Sequence, residues 1–220
     1  MLPTFRGDGG SNVWKGMPGE VISSTRMLQK DLPALWEWFD YRRGLLAEVK
    51  PNSAHKTIAA WQRQFPEFTL ATQNIDGLHQ KAGSADVLEL HGSIWRARCV
   101  SCAWPQQLSY PRPDVCSNCG EALRPDVVLF GEMLPPKVFE HAADMAAESE
   151  LCFVVGTSAT VYPAAKLAHI AKSAGAYVCE VNTEKTALSE HCDEILTGLA
   201  GEILPEIGGG SAKSLPAQMK

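Results

Sequence analysis

The chain has 220 residues, with 20 Lys and Arg against 25 Asp and Glu, a net charge of −5, and 45% hydrophobic and 20% charged residues. That balance is globular, gives room for one large domain plus a small one, and excludes disorder over most of the length. Apolar runs such as Leu151–Val155 fall far short of the ~20 residues that cross a bilayer, and the acidic balance argues against a partner bound through nucleic-acid phosphates.

Along the chain, MLPTFRGDGG lacks the long apolar stretch of a secretory leader, so a cytoplasmic protein is expected. Helices are predicted over Pro33–Val49, Ser53–Phe65, Pro135–Glu148 and Pro163–Ala174, with a short one over Gly201–Ile207; prolines stand at or near several of these starts. Strands are predicted over Phe68–Gln73, Val87–Leu90, Val127–Phe130, Leu151–Val155, Tyr177–Val181 and Glu194–Leu196. Short apolar strands alternating with helices of ten or more residues define βαβ units, hence an α/β fold with a parallel sheet. Continuous apolar runs such as LCFVV fit a sheet covered on both faces. The segment from about 97 to 124 breaks this alternation and reads as an inserted module, and the Gly/Ser-rich end from about 206 to 220 reads as a disordered tail.

Four of the seven cysteines, Cys99, Cys102, Cys116 and Cys119, form two C-x-x-C pairs. Each pair places two thiolates on one tight turn, and two such turns complete a tetrahedral sulfur site for zinc. With all four positions filled by protein, the metal is structural rather than catalytic. Two disulfides are the alternative, disfavoured by the odd cysteine total and the paired spacing. Cys152, Cys179 and Cys192 read as core thiols.

Ligands of parallel sheets collect at the carboxyl ends of the strands. There the sequence places Gln73, Asn74, Ile75 and Asp76; His91 with Gly92; Gly156, Thr157 and Ser158; and Asn182, Thr183 and Glu184. Polar ends on apolar strands fit a site for a ligand carrying sugar and amide groups. No G-x-G-x-x-G, P-loop, nucleophile elbow or H-E-x-x-H occurs.

TQNIDGLH (Thr72–His79), LHG (Leu90–Gly92), the four-cysteine module, FGEMLP (Phe130–Pro135), GTS (Gly156–Ser158) and VN (Val181–Asn182) occur in the order found in sirtuins. The resemblance covers residues 3–205. FDYRR, PNSAH and VYPAA look most like the branch holding bacterial members and the mitochondrial desuccinylase. It implies a Rossmann-like doubly wound core over about 1–12, 51–98 and 125–205, a helical insert over 13–50 and a zinc module over 99–124. It also implies NAD-dependent removal of acyl groups from protein lysines, with NAD as co-substrate and one structural zinc. The substrate carbonyl oxygen would attack C1′ of the nicotinamide ribose, expel nicotinamide and form an imidate. His91 would then act as general base to the ribose hydroxyls, and water would release lysine and 2′-O-acyl-ADP-ribose.

By the same resemblance Asp76 would hold the nicotinamide carboxamide, Asn74 a water beside the reacting carbon and Gln73 a ribose hydroxyl, with Ile75 in the same turn. Gly156, Thr157 and Ser158 would meet phosphate or ribose; Asn182, Thr183 and Glu184 the adenosine ribose; and Ala200 the adenine. Phe5 and Arg6 would belong to a cofactor loop. Gly131 and Glu132, with Val161 and Tyr162, would line an extended acyl-lysine peptide by strand addition. Phe39 and Arg42, three apart on a helix, stand where the desuccinylase branch has the Tyr and Arg that grip an acyl carboxylate, so succinyl and malonyl groups join acetyl as candidate substrates.

The family's first strand and Gly-Ala-Gly turn would precede Pro3, and Met1-Leu2 stands in their place. The expectation is a native start further upstream, with weak NAD affinity and an exposed sheet edge for the chain as it stands. Three rival readings remain: a truncated homologue that binds NAD, ADP-ribose or a partner, a mono-ADP-ribosyltransferase, and a zinc-ribbon nucleic-acid module.

Overall fold

The computed structural model describes residues 13–109, 111–158 and 163–209. Among these, the chain divides into one unit of residues 13–49, 74–77 and 91–133 and another of residues 50–73, 78–90 and 134–209. The helical insert expected over 13–50 and the cysteine module expected over 99–124 thus share the first unit with the strands that flank the module.

Four short elements and one long helix open the first unit: β1 (Val13–Trp14), β2 (Met17–Pro18), α1 (Gly19–Ile22), α2 (Thr25–Lys30) and α3 (Leu32–Ala47). Asp31 starts α3 by accepting from the Ala34 amide at 3.0 Å, with Pro33 in the first turn. In the second unit Asn52 caps α4 (Ser53–Gln64) by accepting from the His55 amide at 3.1 Å. β3 (Leu70–Thr72), α5 (Leu78–Lys81) and β4 (Val87–Glu89) follow, and β3 and β4 pair in parallel.

Back in the first unit, β5 (Gly92–Cys99), β6 (Pro105–Gln107) and β7 (Leu123–Val127) form an antiparallel sheet in the order β6-β5-β7. The sequence pattern points instead to a strand at 127–130, where β7 has already ended. Its apolar residues Val127 and Leu129 are core residues, 3% and 2% exposed, but Leu129 sits in a turn and not in the ladder. The core joins α1–α3 to this sheet through Ile22, Leu35, Trp38, Phe39, Ile94 and Val127.

The second unit closes with α6 (Pro136–Glu148), β8 (Leu151–Val155), α7 (Lys166–Ala174), β9 (Tyr177–Asn182), β10 (Glu194–Thr197) and α8 (Ala200–Gly209). The ladder runs β10-β9-β8, all parallel, the βαβ arrangement expected of alternating strands and helices. Gly175, at φ +102°, ends α7 in the left-handed conformation that glycine adopts without penalty. Side chains alternate across β9: Cys179 and Val181 pack with Ile58, Trp61 and Leu204, while Val178 packs with Ala171 and Ala176. Val181 and Leu204 have no exposed surface, and burial of each such side chain contributes roughly 1.5–3 kcal/mol. Helix α8 continues through Gly209, past residue 206 where a tail is expected to begin. Burial pushes the Cys179 thiol up to about 12 and those of Cys152 and Cys192 to about 11, as suits core cysteines. No helix among the described residues is long and apolar enough to cross a membrane.

Candidate active site

In the second unit the polar residues expected at strand ends form a connected network. β8 ends at Gly156, at φ +62°, whose amide donates to Val181 O at 2.9 Å. The Asn182 side chain, at the end of β9, donates from Nδ2 to Thr157 O at 2.8 Å and accepts at Oδ1 from the Thr183 amide at 2.9 Å. Asn182 O accepts from the Gly198 amide at 2.8 Å, so one asparagine joins the ends of β8, β9 and β10. Gln73 donates to Thr157 Oγ1 at 3.3 Å. Gly156, Ser158, Thr183 and Glu184 are exposed, and Ala200 is half-buried at the start of α8.

Beneath this network lies Glu180, 0% exposed, a strand residue that the sequence pattern does not single out. Its carboxylate accepts from Thr186 Oγ1 at 2.6 Å and from Ser189 Oγ, so it anchors the loop that follows Thr183 and Glu184. A charge buried this fully is tolerable only with such partners. The signal for it in sequence is a lone acid inside an apolar run, YVCEVN.

In the first unit a second group of expected residues is held by β5. Ile94 N donates to Ile75 O at 3.0 Å, and the Trp95 indole Nε1 donates to Asp76 O at 2.6 Å. Gly77, at φ +71°, lies so close to Trp95 that a Cβ there would meet the ring at 2.9 Å. The segment that ends at Asp76 is therefore clamped by Trp95, a residue that the sequence pattern does not single out. His91, half-buried, directly precedes β5, and its carbonyl accepts from Val128 N at 3.0 Å. Gly92, at φ +74°, fixes the backbone beside it.

Phe39 is 1% exposed in the core, and the Arg42 guanidinium lies 5.3 Å from the Trp38 ring centroid. Burial lowers the Arg42 pKa from the ordinary arginine value, opposed by Tyr41. Gly131, at φ +95°, is exposed, and Glu132 is half-buried. Although burial alone would raise it, hydrogen bonds from Arg124 and the Leu129 amide, with the charges of Arg124 and Arg98, hold the Glu132 carboxyl below the usual range. Phe5, Arg6, Val161 and Tyr162 lie outside the described residues.

The four module cysteines converge as expected. Their sulfurs all lie within 4.8 Å of one another, and the closest pairs are 3.4 Å (Cys99–Cys119 and Cys102–Cys119) and 3.7 Å (Cys102–Cys116). These separations are too long for disulfide bonds and near the ~3.8 Å that four Zn–S bonds of ~2.3 Å impose on a tetrahedron. The amides of Ser101 and Cys102 donate to Cys99 Sγ and that of Asn118 to Cys116 Sγ, at 3.3–3.4 Å. Such bonds stabilise negative sulfur. The donor set fits zinc, and Cys99, Cys102, Cys116 and Cys119 would hold it. Cys99 and Cys116 pack against Trp36 and Leu123, whereas Cys102 and Cys119 are exposed. One zinc per chain is expected by elemental analysis, with four sulfurs at ~2.3 Å by X-ray absorption. Serine at Cys116 should abolish that stoichiometry.

A parallel α/β ladder with polar strand ends in one unit, and a four-sulfur module in the other, define a nucleotide-binding protein of Rossmann-like type carrying a structural metal site. The Sir2 family model matches residues 2–163. An "NAD-dependent protein deacylase 2" of Pyrobaculum aerophilum is 43% identical over 209 residues, covering 94% of this chain and 83% of that one. A crystal structure of a Sir2 homolog–NAD complex superimposes with a TM-score of 0.86 at 38% identity, over 94% of this chain and 82% of the other. A Sir2 homologue mutant in complex with 2′-O-acetyl-ADP-ribose gives 0.84 at 38% identity, covering 94% of this chain and 84% of its own. The chain belongs to the Sir2 family, the sirtuins.

Proposed function

We propose that this chain is an NAD-dependent protein-lysine deacylase that transfers the acyl group of a modified lysine to ADP-ribose. The observation that carries the reading is the common anchoring of two reacting groups. Strand β5 holds Ile75 and Asp76 through Ile94 and Trp95, and it begins one residue after His91. A general base and the carboxamide-binding turn are therefore fixed by one rigid element, as catalysis by positioning requires.

Asp76 accepts from the nicotinamide carboxamide, and Asn74 orders a water beside the reacting carbon. Once the acyl oxygen has bonded to C1′, His91 takes the proton of a ribose hydroxyl and the 2′-oxygen attacks the acyl carbon. Water then completes the release of lysine and 2′-O-acyl-ADP-ribose. Neutral imidazole is the form needed, and histidine supplies it at neutral pH. In the second unit Gln73, Gly156, Thr157 and Ser158 bind ribose and phosphates, while Asn182, Thr183, Glu184 and Ala200 receive the adenosine end. The peptide adds along Gly131 and Glu132 through main-chain bonds. Because the Glu132 amide already donates to Leu129 O at 2.9 Å, the peptide pairs with other backbone groups of this turn.

Mass-spectrometric detection of 2′-O-acetyl-ADP-ribose from NAD and an acetyl-lysine peptide tests the reading. ADP-ribosylated protein with no free acyl-ADP-ribose would replace it with a transferase.

Arg42 gives the site a cationic donor for acidic acyl groups. Phe39 is only 1% exposed and has no hydroxyl, so recognition of an acyl carboxylate falls to Arg42. Arg42→Met is expected to lower kcat/KM for succinyl- and malonyl-lysine peptides by roughly 10–100-fold, the worth of a charged hydrogen bond, while acetyl turnover changes little. Equal loss of all three activities would sink this role.

A further inference from the structure

Arg98 and Arg124 stand directly opposite each other across the β5–β7 ladder, where like charges repel. Arg96 and Asp126 share their face, and Asp126 Oδ2 accepts from Arg96 Nε at 2.9 Å. The repulsion between Arg98 and Arg124 is relieved by Glu132. Arg124, 5% exposed, donates from Nη1 to Glu132 Oε1 and from Nη2 to Oε2 at 2.9 Å, a two-pronged pair. Arg98 Nη2 lies 3.4 Å from the same Oε2.

That carboxylate also closes the turn it belongs to. Leu129 N donates to Glu132 Oε2 at 2.8 Å, and Glu132 N returns to Leu129 O at 2.9 Å. Between them, Phe130 N donates to Ser23 O at 2.9 Å, and Phe130 O accepts from Thr25 N at 3.0 Å. A Cβ on Gly131 would meet Thr25 Oγ1 at 2.8 Å. Four consecutive residues are thus held by side chain and backbone from three directions, although the turn leaves Gly131 exposed and Met133 86% exposed. A simple connection from β7 to α6 has no need of a half-buried carboxylate held by two arginines. A surface that must present a fixed backbone to a flexible chain does, because ordering it beforehand removes that entropy from the binding step.

We propose that Glu132 is a positioning residue, whose carboxylate, gripped by Arg124 and Arg98, presets the Gly131–Glu132 backbone for the acyl-lysine peptide and thereby sets peptide affinity rather than NAD affinity. This rests on the reading that the peptide adds along that turn.

The test measures binding of a fluorescent acetyl-lysine peptide by anisotropy without NAD, NAD binding by calorimetry without peptide, and the thermal midpoint, in wild type, Glu132→Gln and Arg98→Met. Arg98 is half-exposed and is the secondary partner, so its variant remains informative if Glu132→Gln does not fold. Peptide Kd should weaken on the order of tenfold in Glu132→Gln and a few-fold in Arg98→Met, with NAD Kd unchanged. Unchanged peptide Kd in the folded variants would overturn the proposal. So would parallel losses of peptide and NAD affinity with a lowered midpoint, the mark of a purely structural ion pair. A wild-type protein that binds NAD but no acyl peptide would overturn the deacylase reading instead, and this proposal with it.

Discussion

His91→Ala is expected to lower kcat for deacylation by about 10²–10⁴, the usual contribution of a positioned general base. The half-buried imidazole sits on a backbone fixed by the Val128–His91 hydrogen bond and by Gly92, so truncating its side chain leaves that support in place. The thermal midpoint should therefore stay close to that of wild type. In the proposed mechanism the bond between C1′ and nicotinamide breaks before His91 takes its proton. Exchange of labelled nicotinamide into NAD, dependent on acyl peptide, should then persist in the variant while release of 2′-O-acyl-ADP-ribose collapses. If both reactions fell together, His91 would be acting in the first step or in binding. Steady-state kinetics together with isotope exchange, run on the same preparation, separate these cases.

Gly92→Ala should be damaging in a different way. A Cβ at this position would overlap the Asp126 carbonyl oxygen and lie 3.0 Å from the carbonyl carbon and 3.2 Å from Val127 Cα. All three atoms are backbone of the paired strand, so no side chain can swing aside. The residue also sits at φ +74°, where alanine is strained. Together these effects destabilise the protein by about 3 kcal/mol or more, with a fall in Tm on the order of 10 °C. Any fraction that folds would have the Gly92–Val127 pairing displaced and His91 with it. A misplacement of ~1 Å is enough for a further ~10² in rate. Scanning calorimetry and turnover measured per mole of folded protein check the two parts. A variant with wild-type Tm would show that β5 and β7 separate more easily than this packing allows.

The second unit was the more legible in sequence. Its strand β8 is a continuous apolar run and β9 is one interrupted by Glu180, because apolar side chains pack on both faces of the ladder, and α6 and α7 carry regular apolar stripes. Strand β5 is hidden in the sequence for a physical reason. It carries Arg96 and Arg98 on one face, opposite Arg124 and Asp126, and those charges are satisfied by one another and by Glu132. Such a strand reads as a polar loop, since pairing between distant charges leaves no local pattern. The two C-x-x-C turns were legible because metal ligation imposes its spacing on the chain itself. Trp95, Glu180 and Arg124 were not, because each acts on residues that lie beside it only after folding. Phe39 marks the opposite limit: its spacing from Arg42 is visible in sequence, but its complete burial among Ile22, Trp38 and Val127 is not.

The interleaving of the two units bears on how the chain can fold. The path passes from one unit to the other after residues 49, 73, 77, 90 and 133, so neither is a continuous stretch that could be cut out whole. The first unit acquires its last strand and the Leu129–Glu132 turn only when synthesis has passed residue 133. The second waits longer, because α4 near its beginning packs on α8 near its end, where Ser53 Oγ bonds Gly201 O across 148 residues of sequence. Contacts of such separation make folding slow and leave the half-made β-strands exposed to association. Refolding yield should therefore fall with protein concentration well before native stability does.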